Sequence, residues 1–171
     1  MNNPSTFKKV LPLLSIFFVI ALLTLGTAYL QGNMGIGHLM MLLMGYFFLV
    51  FGGFKIINIK KFAEAYAMYD IVAMRSKVYA YLYPFIEALF GVLYLMNWGG
   101  IYRDTFAFIL MAVSTYGVWK ALEKKDEIPC ACLGMVFKVP MTKVTLFENL
   151  FMAIMAVYMI IMHLTSGNMI M

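Results

Sequence analysis

The two cysteines of this chain, Cys130 and Cys132, lie one residue apart in the stretch EIPCACLG. A C-x-C pair can close a small, strained disulfide ring that is easily reduced, which favours thiol–disulfide exchange. The same two thiolates can instead bind one soft metal ion, because sulfur ligands select copper(I), zinc and similar ions. A third interpretation is a pair of small, unreactive buried residues, which the polar sequence around the pair disfavours. Redox exchange is the favoured interpretation.

A carboxylate, Glu87, interrupts the apolar stretch YPFIEALFGVLYL. An ionisable group at membrane depth is costly and is therefore a candidate functional residue. The sequence places no basic residue within one helical turn of it. Glu87 is predicted to be a proton-transfer site linked to thiol chemistry or a carboxylate on an ion path. The alternative is a hydrogen-bonding group that contacts Ser114 or Tyr116 on a neighbouring helix, helped by a kink at Pro84.

A second carboxylate, Glu148, follows the cysteine stretch in the sequence TLFE. A threonine followed three residues later by glutamate is a capping box, so Thr145 and Glu148 are predicted to cap the start of a helix. The position of Glu148 shortly after the cysteines leaves a second role, as a proton acceptor for a thiol. The candidate catalytic residues are therefore Cys130, Cys132, Glu87 and Glu148.

The composition indicates the environment in which these residues work. Apolar residues make up 64% of the 171 residues, and charged residues only 12%. A soluble domain carries about a quarter charged residues, so this chain is predicted to be an integral membrane protein. The net charge of +5 comes from lysines that flank apolar segments, a topology signal rather than a nucleic-acid site. The sequence has no phosphate-binding glycine loop, zinc-protease motif or serine nucleophile elbow, which leaves nucleotide-driven transport and hydrolysis unsupported.

Five apolar segments approach the roughly 20 residues that cross a bilayer. They lie at about 10–30, 38–57, 78–97, 102–121 and 146–165. The first is longer than the roughly 7–15 residues of a signal-peptide core, so we expect it to remain as a span, with its removal as the alternative. The predicted fold class is an all-α integral membrane protein, a five-span helical bundle.

The segment IKKFAEAYAMYDIVAMRSK, between the second and third spans, is too charged to cross the membrane. Its aromatic residues recur at helical spacing, which predicts an amphipathic helix with aromatic side chains at headgroup level, or a continuation of the second span. Lys55, at the end of that span, is predicted to extend its amine to the headgroups. His38 and His163 are predicted to be interfacial polar groups.

The basic residues predict an orientation, because lysine and arginine near span ends favour the cytoplasmic side. With the N-terminus inside and the C-terminus outside, only Arg103 lies on the outer side. The cysteine loop is then cytoplasmic. The inner side carries Lys8, Lys9, Lys55, Lys60, Lys61, Arg75, Lys77, Lys120, Lys124, Lys125, Lys138 and Lys143.

Three stretches resemble DoxX-like membrane proteins and, among these, the methylamine utilisation protein MauE. The first, GYFFLVFGGFKIINIKKFAEAYAMYDIVA, is similar to the opening family helix, and YPFIEALFGVLYL, with its Pro-x-x-Glu, is similar to the second. The third, PCACLG, resembles the cysteine motif before the last helix of MauE. The resemblance implies a four-helix membrane domain at 38–165, an added span and outer turn at 1–37 and a short tail at 166–171.

What the resemblance implies for function is a bacterial inner-membrane protein that supports thiol–disulfide redox chemistry, through electron transfer or through maturation of a partner. Cys130 and Cys132 match the family's cysteine motif, and Glu87 matches its helix carboxylate. The expected partner is a thioredoxin-like protein or a disulfide-containing client, and a quinone is a candidate electron acceptor. Whether the chain is itself an oxidoreductase component, and whether it forms oligomers, the sequence leaves open.

The predicted orientation conflicts with this function in one respect. The charge distribution places the cysteines in the cytoplasm, whereas the presumed client of the family lies outside. Cytoplasmic thiols are kept reduced, and reduced C-x-C thiols are good acceptors for soft metal ions. The alternative function is therefore transport or handling of a heavy metal such as mercury or copper by Cys130 and Cys132.

Overall fold

The structure is a computed structural model of the chain, and it describes residues 4–123 and 143–165. Within these ranges the chain is all helical, without strands, which confirms the predicted fold class. The six helices are α1 (Pro4–Leu30), α2 (Ile36–Ile57), α3 (Ile59–Tyr66), α4 (Lys77–Leu95), α5 (Gly100–Glu123) and α6 (Lys143–Thr165).

Four of these helices, α1, α2, α4 and α5, are long and apolar enough to cross a membrane. Helix α6 contains a shorter apolar segment, Asn149–Thr165. The five predicted spans therefore coincide with the five long helices, and the chain has the features of a multi-pass membrane protein. Turns that contain glycine at positive φ separate α1 from α2 and α4 from α5, at Gly32 and Gly99, a conformation that costs glycine little.

The long helices alternate in direction. Helices α2 and α4 are antiparallel, because Gly52 near the end of α2 packs beside Pro84 near the start of α4, whereas Gly45 packs beside Leu95. Helices α5 and α6 are also antiparallel neighbours, since Asn149 donates to Ser114 over 3.2 Å near the start of α6. We call the end at which α2 and α5 finish and α4 and α6 begin the lysine-rich end.

Helix α3 is a separate amphipathic helix, which confirms one of the two predictions for this segment. Asn58 leaves helical geometry, with φ −130° and ψ 52°, and divides α3 from α2. Lys60 and Lys61 are exposed, whereas Phe62 and Tyr66 are buried. The prediction that these aromatic side chains lie among headgroups is wrong: they pack on α4 within the protein, where an apolar face is removed from water and lipid headgroups alike.

Candidate functional site

Close approach of α2 and α4 forms the base of the candidate site. A Cβ atom at Gly52 would lie only 3.2 Å from the carbonyl oxygen of Pro84, and one at Gly91 only 2.8 Å from the backbone nitrogen of Leu49. Small residues that let two backbones approach are a common device for packing helices within membranes. The facing surfaces of the two helices therefore meet along their backbones.

A buried ion pair lies on these facing surfaces. Lys55 follows Gly52 by three residues and Glu87 follows Pro84 by three, so each charged residue continues the face that packs against the other helix. Lys55 Nζ donates to both carboxylate oxygens of Glu87 over 2.5 Å. The side chains are only 9% and 2% exposed. Opposite charges with this little exposure to water interact far more strongly than they would at a surface.

This geometry corrects two predictions. Lys55 does not extend to the headgroups but turns inward to α4, because Glu87 offers it a charge partner within the bundle. Glu87, in turn, has a basic partner, from a helix 32 positions earlier in the chain rather than from its own. The predicted contact with Tyr116 is wrong, since Tyr116 is exposed and packs edge-on against Trp119. Ser114 does line the cavity beside Glu87.

Aromatic rings surround the ammonium group of Lys55. Its Nζ lies 5.0 Å from the ring centroid of Tyr83 and 5.6 Å from that of Phe62. Ring faces attract a cation at these distances, most strongly when water is excluded. Tyr66 packs against both rings: its centroid lies 5.1 Å from that of Phe62 in a stacked arrangement and 4.5 Å from that of Tyr83 in a tilted one. Helix α3 thus covers the ion pair at the lysine-rich end.

A fully buried aspartate, Asp70, fixes the chain that follows α3. Its carboxylate accepts hydrogen bonds from the hydroxyl of Tyr66 over 2.9 Å and from the backbone N–H groups of Val72 and Ala73 over 3.0 and 2.9 Å. Burial, with smaller contributions from neighbouring tyrosines and Asp70, raises the pKa of Tyr66 well above its usual range. Tyr66 therefore remains a neutral donor.

A small polar cavity connects the ion pair to α5 and α6. It has a volume of about 20 Å³, which is enough for one water molecule. Polar groups from five helices and from the chain after α3 line it: Lys55, Glu87, Tyr66, Tyr69, Tyr83, Ser114 and Asn149. Ser114 and Asn149 also hydrogen-bond to each other. A water in this cavity would join the Lys55–Glu87 pair to the two helices that flank the cysteine segment.

The cysteines themselves, Cys130 and Cys132, lie outside the described residues, as do Pro129 and Gly134 beside them. The chain that carries them leaves α5 after Glu123 and enters α6 at Lys143. It therefore begins and ends at the lysine-rich end, the end at which the buried ion pair lies.

Glu148 lies in α6, and its side chain is outside the described part of the structure. The helix begins at Lys143, so Thr145 is inside the helix rather than at its N-cap. The prediction that Thr145 caps the helix is therefore wrong, because α6 begins two residues before Thr145. The second predicted role of Glu148, as a proton acceptor, stays a prediction.

A second buried charge cluster lies at the opposite end of the bundle, and it was not predicted from the sequence. Arg103 Nε donates to Asp104 Oδ1 over 3.0 Å, and the guanidinium carbon lies 4.1 Å from the Tyr94 ring centroid. His163 Nε2 lies 3.1 Å from Asp104 Oδ2, although these two atoms are not aligned as a hydrogen bond. His163 is thus a partner of Asp104 rather than only an interfacial group. The sequence signal that could have indicated this cluster is the adjacent pair Arg103-Asp104 at the start of an apolar segment.

Within the described residues, no group of three or more His, Cys, Asp or Glu side chains is placed to hold a metal ion. The polar groups near Glu87 can hold or pass a proton and can bind one water. They include a carboxylate, an ammonium group and several hydroxyls, but no nucleophile of the thiol type. Any thiol chemistry would need Cys130 or Cys132, the two cysteines of the sequence.

Comparison with known proteins gives one match. The model of the family described as methylamine utilisation protein MauE matches residues 33–162. No curated protein and no solved structure matches the chain. The matched region extends from the start of α2 almost to the end of α6, far more than half of the chain. It includes the Lys55–Glu87 pair, both cysteines, and Arg103 and Asp104 of the cluster at the opposite end, whereas His163 lies one residue beyond the match. This chain is a member of the MauE family of membrane proteins.

Proposed function

We propose that this protein supports thiol–disulfide redox chemistry in the bacterial cytoplasmic membrane, with Cys130 and Cys132 as the exchanging pair. The observation that carries the proposal is the extent of the family match, because residues 33–162 include both cysteines and the helices on either side of them. The family's description suggests methylamine utilisation as the process served. The partner is a thioredoxin-like protein or a disulfide-containing client.

The proposed reaction is an ordinary exchange in two steps. One cysteine thiolate attacks a partner disulfide, forming a mixed disulfide and releasing a partner thiolate, which takes up a proton. The second cysteine then attacks the mixed disulfide, closes the Cys130–Cys132 bond and releases the second partner thiol. Two electrons and two protons pass from the C-x-C pair to the partner. The reverse sequence oxidises a partner dithiol, and a quinone or a second thioredoxin-like protein resets the pair.

Glu87 is proposed as the intramembrane proton site for this chemistry, and Glu148 as a secondary one. The contact with Lys55 sets a condition on the first role. A proton added to the Glu87 carboxylate removes the partner charge of a buried ammonium group, which is costly. Proton uptake at Glu87 must therefore be accompanied by loss of a proton from Lys55, or by movement of its amine towards the adjoining cavity.

The alternative function is binding or transport of a soft metal ion, such as copper or mercury, through the same two sulfurs. The observation that favours it is the distribution of basic residues, which assigns the cysteines to the reducing cytoplasm. In that compartment both thiols would be free to bind a metal ion.

The deciding experiment is trapping of a mixed disulfide in cells. In Cys130→Ser and Cys132→Ser, one thiol remains that can attack a partner but cannot resolve the product. Acid quenching, alkylation and non-reducing electrophoresis then detect the adduct. We expect a reductant-sensitive adduct in at least one single variant, none in Cys130→Ala/Cys132→Ala, and raised sensitivity of that double variant to disulfide stress.

Two other results would count against the redox function. Failure of both single variants to form an adduct, with unchanged resistance to disulfide stress in the double variant, would exclude exchange through this pair. Loss of copper or mercury resistance or accumulation in the double variant, without a change under disulfide stress, would establish the metal function instead.

A further inference from the structure

A second cavity lies at the lysine-rich end, on the other side of Tyr69, which also lines the cavity beside Glu87. Its volume is about 340 Å³, against about 20 Å³ for the polar cavity beside Glu87. The chain between α3 and α4 forms one wall and the last turns of α5 form the other. The lining residues are Met68, Tyr69, Ile71, Met74, Arg75, Lys120 and Ala121.

Two positive charges face this cavity from its two walls. Arg75 comes from the segment before α4 and Lys120 from α5, and both side chains are exposed. None of the lining residues is acidic. Neither basic side chain forms an ion pair with any described residue, since the ion pairs found there are Lys55–Glu87, Arg103–Asp104 and His163–Asp104. The cavity is thus a concave site whose positive charge forms no ion pair with the described residues.

The residues around the cavity are of the types expected at the depth of lipid headgroups. Tyr116 and Trp119, on the same stretch of α5 as Lys120, are about half exposed. Exposed Tyr and Trp near a span end are typical of the membrane interface. On the other wall, Met68 and Met74 are 58% and 63% exposed, although they lie outside the apolar spans. An apolar rim of this kind is expected to contact the acyl chains just below the headgroups.

We propose that this cavity binds the headgroup of an anionic phospholipid, with the phosphate between Arg75 and Lys120 and an acyl chain against Met68 and Met74. An arginine guanidinium matches the geometry of a phosphate group, and basic pockets at the cytoplasmic ends of spans are typical sites for acidic lipids. The charge of the site selects against a zwitterionic headgroup. Lipid binding through Arg75 and Lys120 requires no thiol, so it is a proposal separate from the thiol chemistry.

The test is native mass spectrometry of the full chain in detergent, titrated with phosphatidylglycerol, phosphatidylcholine or inorganic phosphate. We expect one retained phosphatidylglycerol per chain and no comparable adduct with phosphatidylcholine. Arg75→Gln/Lys120→Gln should weaken phosphatidylglycerol binding roughly thirtyfold, or about fivefold for each charge removed. The matched control is Lys60→Gln/Lys61→Gln, which removes two exposed charges at the same end but outside the cavity and should change binding less than about twofold.

Three results would overturn the proposal. Equal retention of the two lipids would show that the site does not select an anionic headgroup. Equal loss in the control variant would assign the effect to overall charge. Displacement of the lipid by inorganic phosphate at matched concentration would identify a simple anion site. Circular dichroism melting of each variant establishes that the fold is retained, and the single variant Arg75→Gln, with an expected fivefold loss, provides an independent measurement.

Discussion

Lys55 and Glu87 form a buried pair in which each charge lowers the free-energy cost of burying the other. An ammonium group or a carboxylate alone at this depth is expensive, and pairing offsets most of that cost without making the pair strongly stabilising. The aromatic rings of Tyr83 and Phe62 lie close to the ammonium group and add to its stabilisation. Such a pair contributes specificity in addition to any stability, since it fixes the register of α2 against α4.

Removing one charge of this pair should therefore destabilise the protein more than removing both. We expect Lys55→Met to lower the free energy of unfolding by about 3–5 kcal/mol, because it leaves the Glu87 carboxylate buried without a partner. Lys55→Met/Glu87→Leu should recover most of that loss. The measurement is equilibrium unfolding of purified protein in mixed micelles with increasing denaturing detergent.

The control for this prediction is Lys60→Met, which removes an exposed lysine from α3. Its effect should remain within about 0.5 kcal/mol of zero. If the double variant were as unstable as Lys55→Met, the interaction of Lys55 with α4 would not be mainly electrostatic. If a stable Lys55→Met/Glu87→Leu variant still formed the mixed disulfide at the wild-type level, Glu87 would not be the proposed proton site.

The hydrogen bond from Tyr66 to Asp70 gives a second prediction for a single residue. Tyr66→Phe keeps the stacked ring but leaves the buried carboxylate with its two backbone donors only. We expect a loss of about 1.5–3 kcal/mol in the free energy of unfolding, the usual range for a hydrogen bond to a charged group. Tyr81→Phe is the matched control, since Tyr81 is 40% exposed. Equal effects of the two changes would show that the hydroxyl bond contributes nothing.

For whole helices, the packing of α2 on α4 depends on glycine at some positions and not at others. We expect Gly91→Ala to cost about 1–3 kcal/mol by overpacking, because its Cβ would lie 2.8 Å from the backbone nitrogen of Leu49 and 3.0 Å from the carbonyl oxygen of Gly45. Gly53→Ala should be neutral or slightly stabilising, because nothing lies within 4 Å of its Cβ and alanine favours helix. Detergent unfolding of both variants, in parallel, tests this difference.

The helices could be predicted from the sequence because apolar length is a strong and local signal. The partners of their polar residues could not. Glu87 is isolated within its own helix, and its partner Lys55 becomes visible only when Gly52 and Pro84 bring α2 and α4 together. The aromatic face of α3 was assigned to lipid for the same reason: amphipathic spacing shows that a face is apolar, not whether protein or membrane covers it.

At the scale of the whole molecule, the buried ion pairs of the described residues lie at the two ends of the bundle. The Lys55–Glu87 pair lies at the lysine-rich end, and Arg103, Asp104 and His163 lie at the opposite end. The aromatic and methionine core, including Phe48 and Met44, separates the two clusters. Proton or electron transfer between the clusters would have to pass this apolar layer. The thiol pair is connected to one end only, so the orientation of the bundle decides which compartment it serves.

That orientation is open to a direct prediction. In a Cys130→Ala/Cys132→Ala background, a single cysteine at Met34, in the exposed turn between α1 and α2, should react with a membrane-impermeant maleimide in intact cells. A cysteine at Lys60, exposed on α3 at the lysine-rich end, should react only after the cells are opened. The physical reason is the positive-inside bias: of the 13 lysine and arginine residues, the topology predicted from the sequence puts only Arg103 on the outer side.

The same labelling on the wild-type pair shows whether its partner is cytoplasmic or external. With Lys60→Cys protected, Cys130 and Cys132 are cytoplasmic and should react without prior reduction once cells are opened, because that compartment keeps thiols reduced. Coupling to a cytoplasmic thioredoxin-like protein or to a soft metal ion is then required. If the Lys60 cysteine instead reacts in intact cells and the Met34 cysteine does not, the positive-inside prediction is wrong for this chain. A pair that reacts in intact cells only after reduction would then exchange disulfides with an external client.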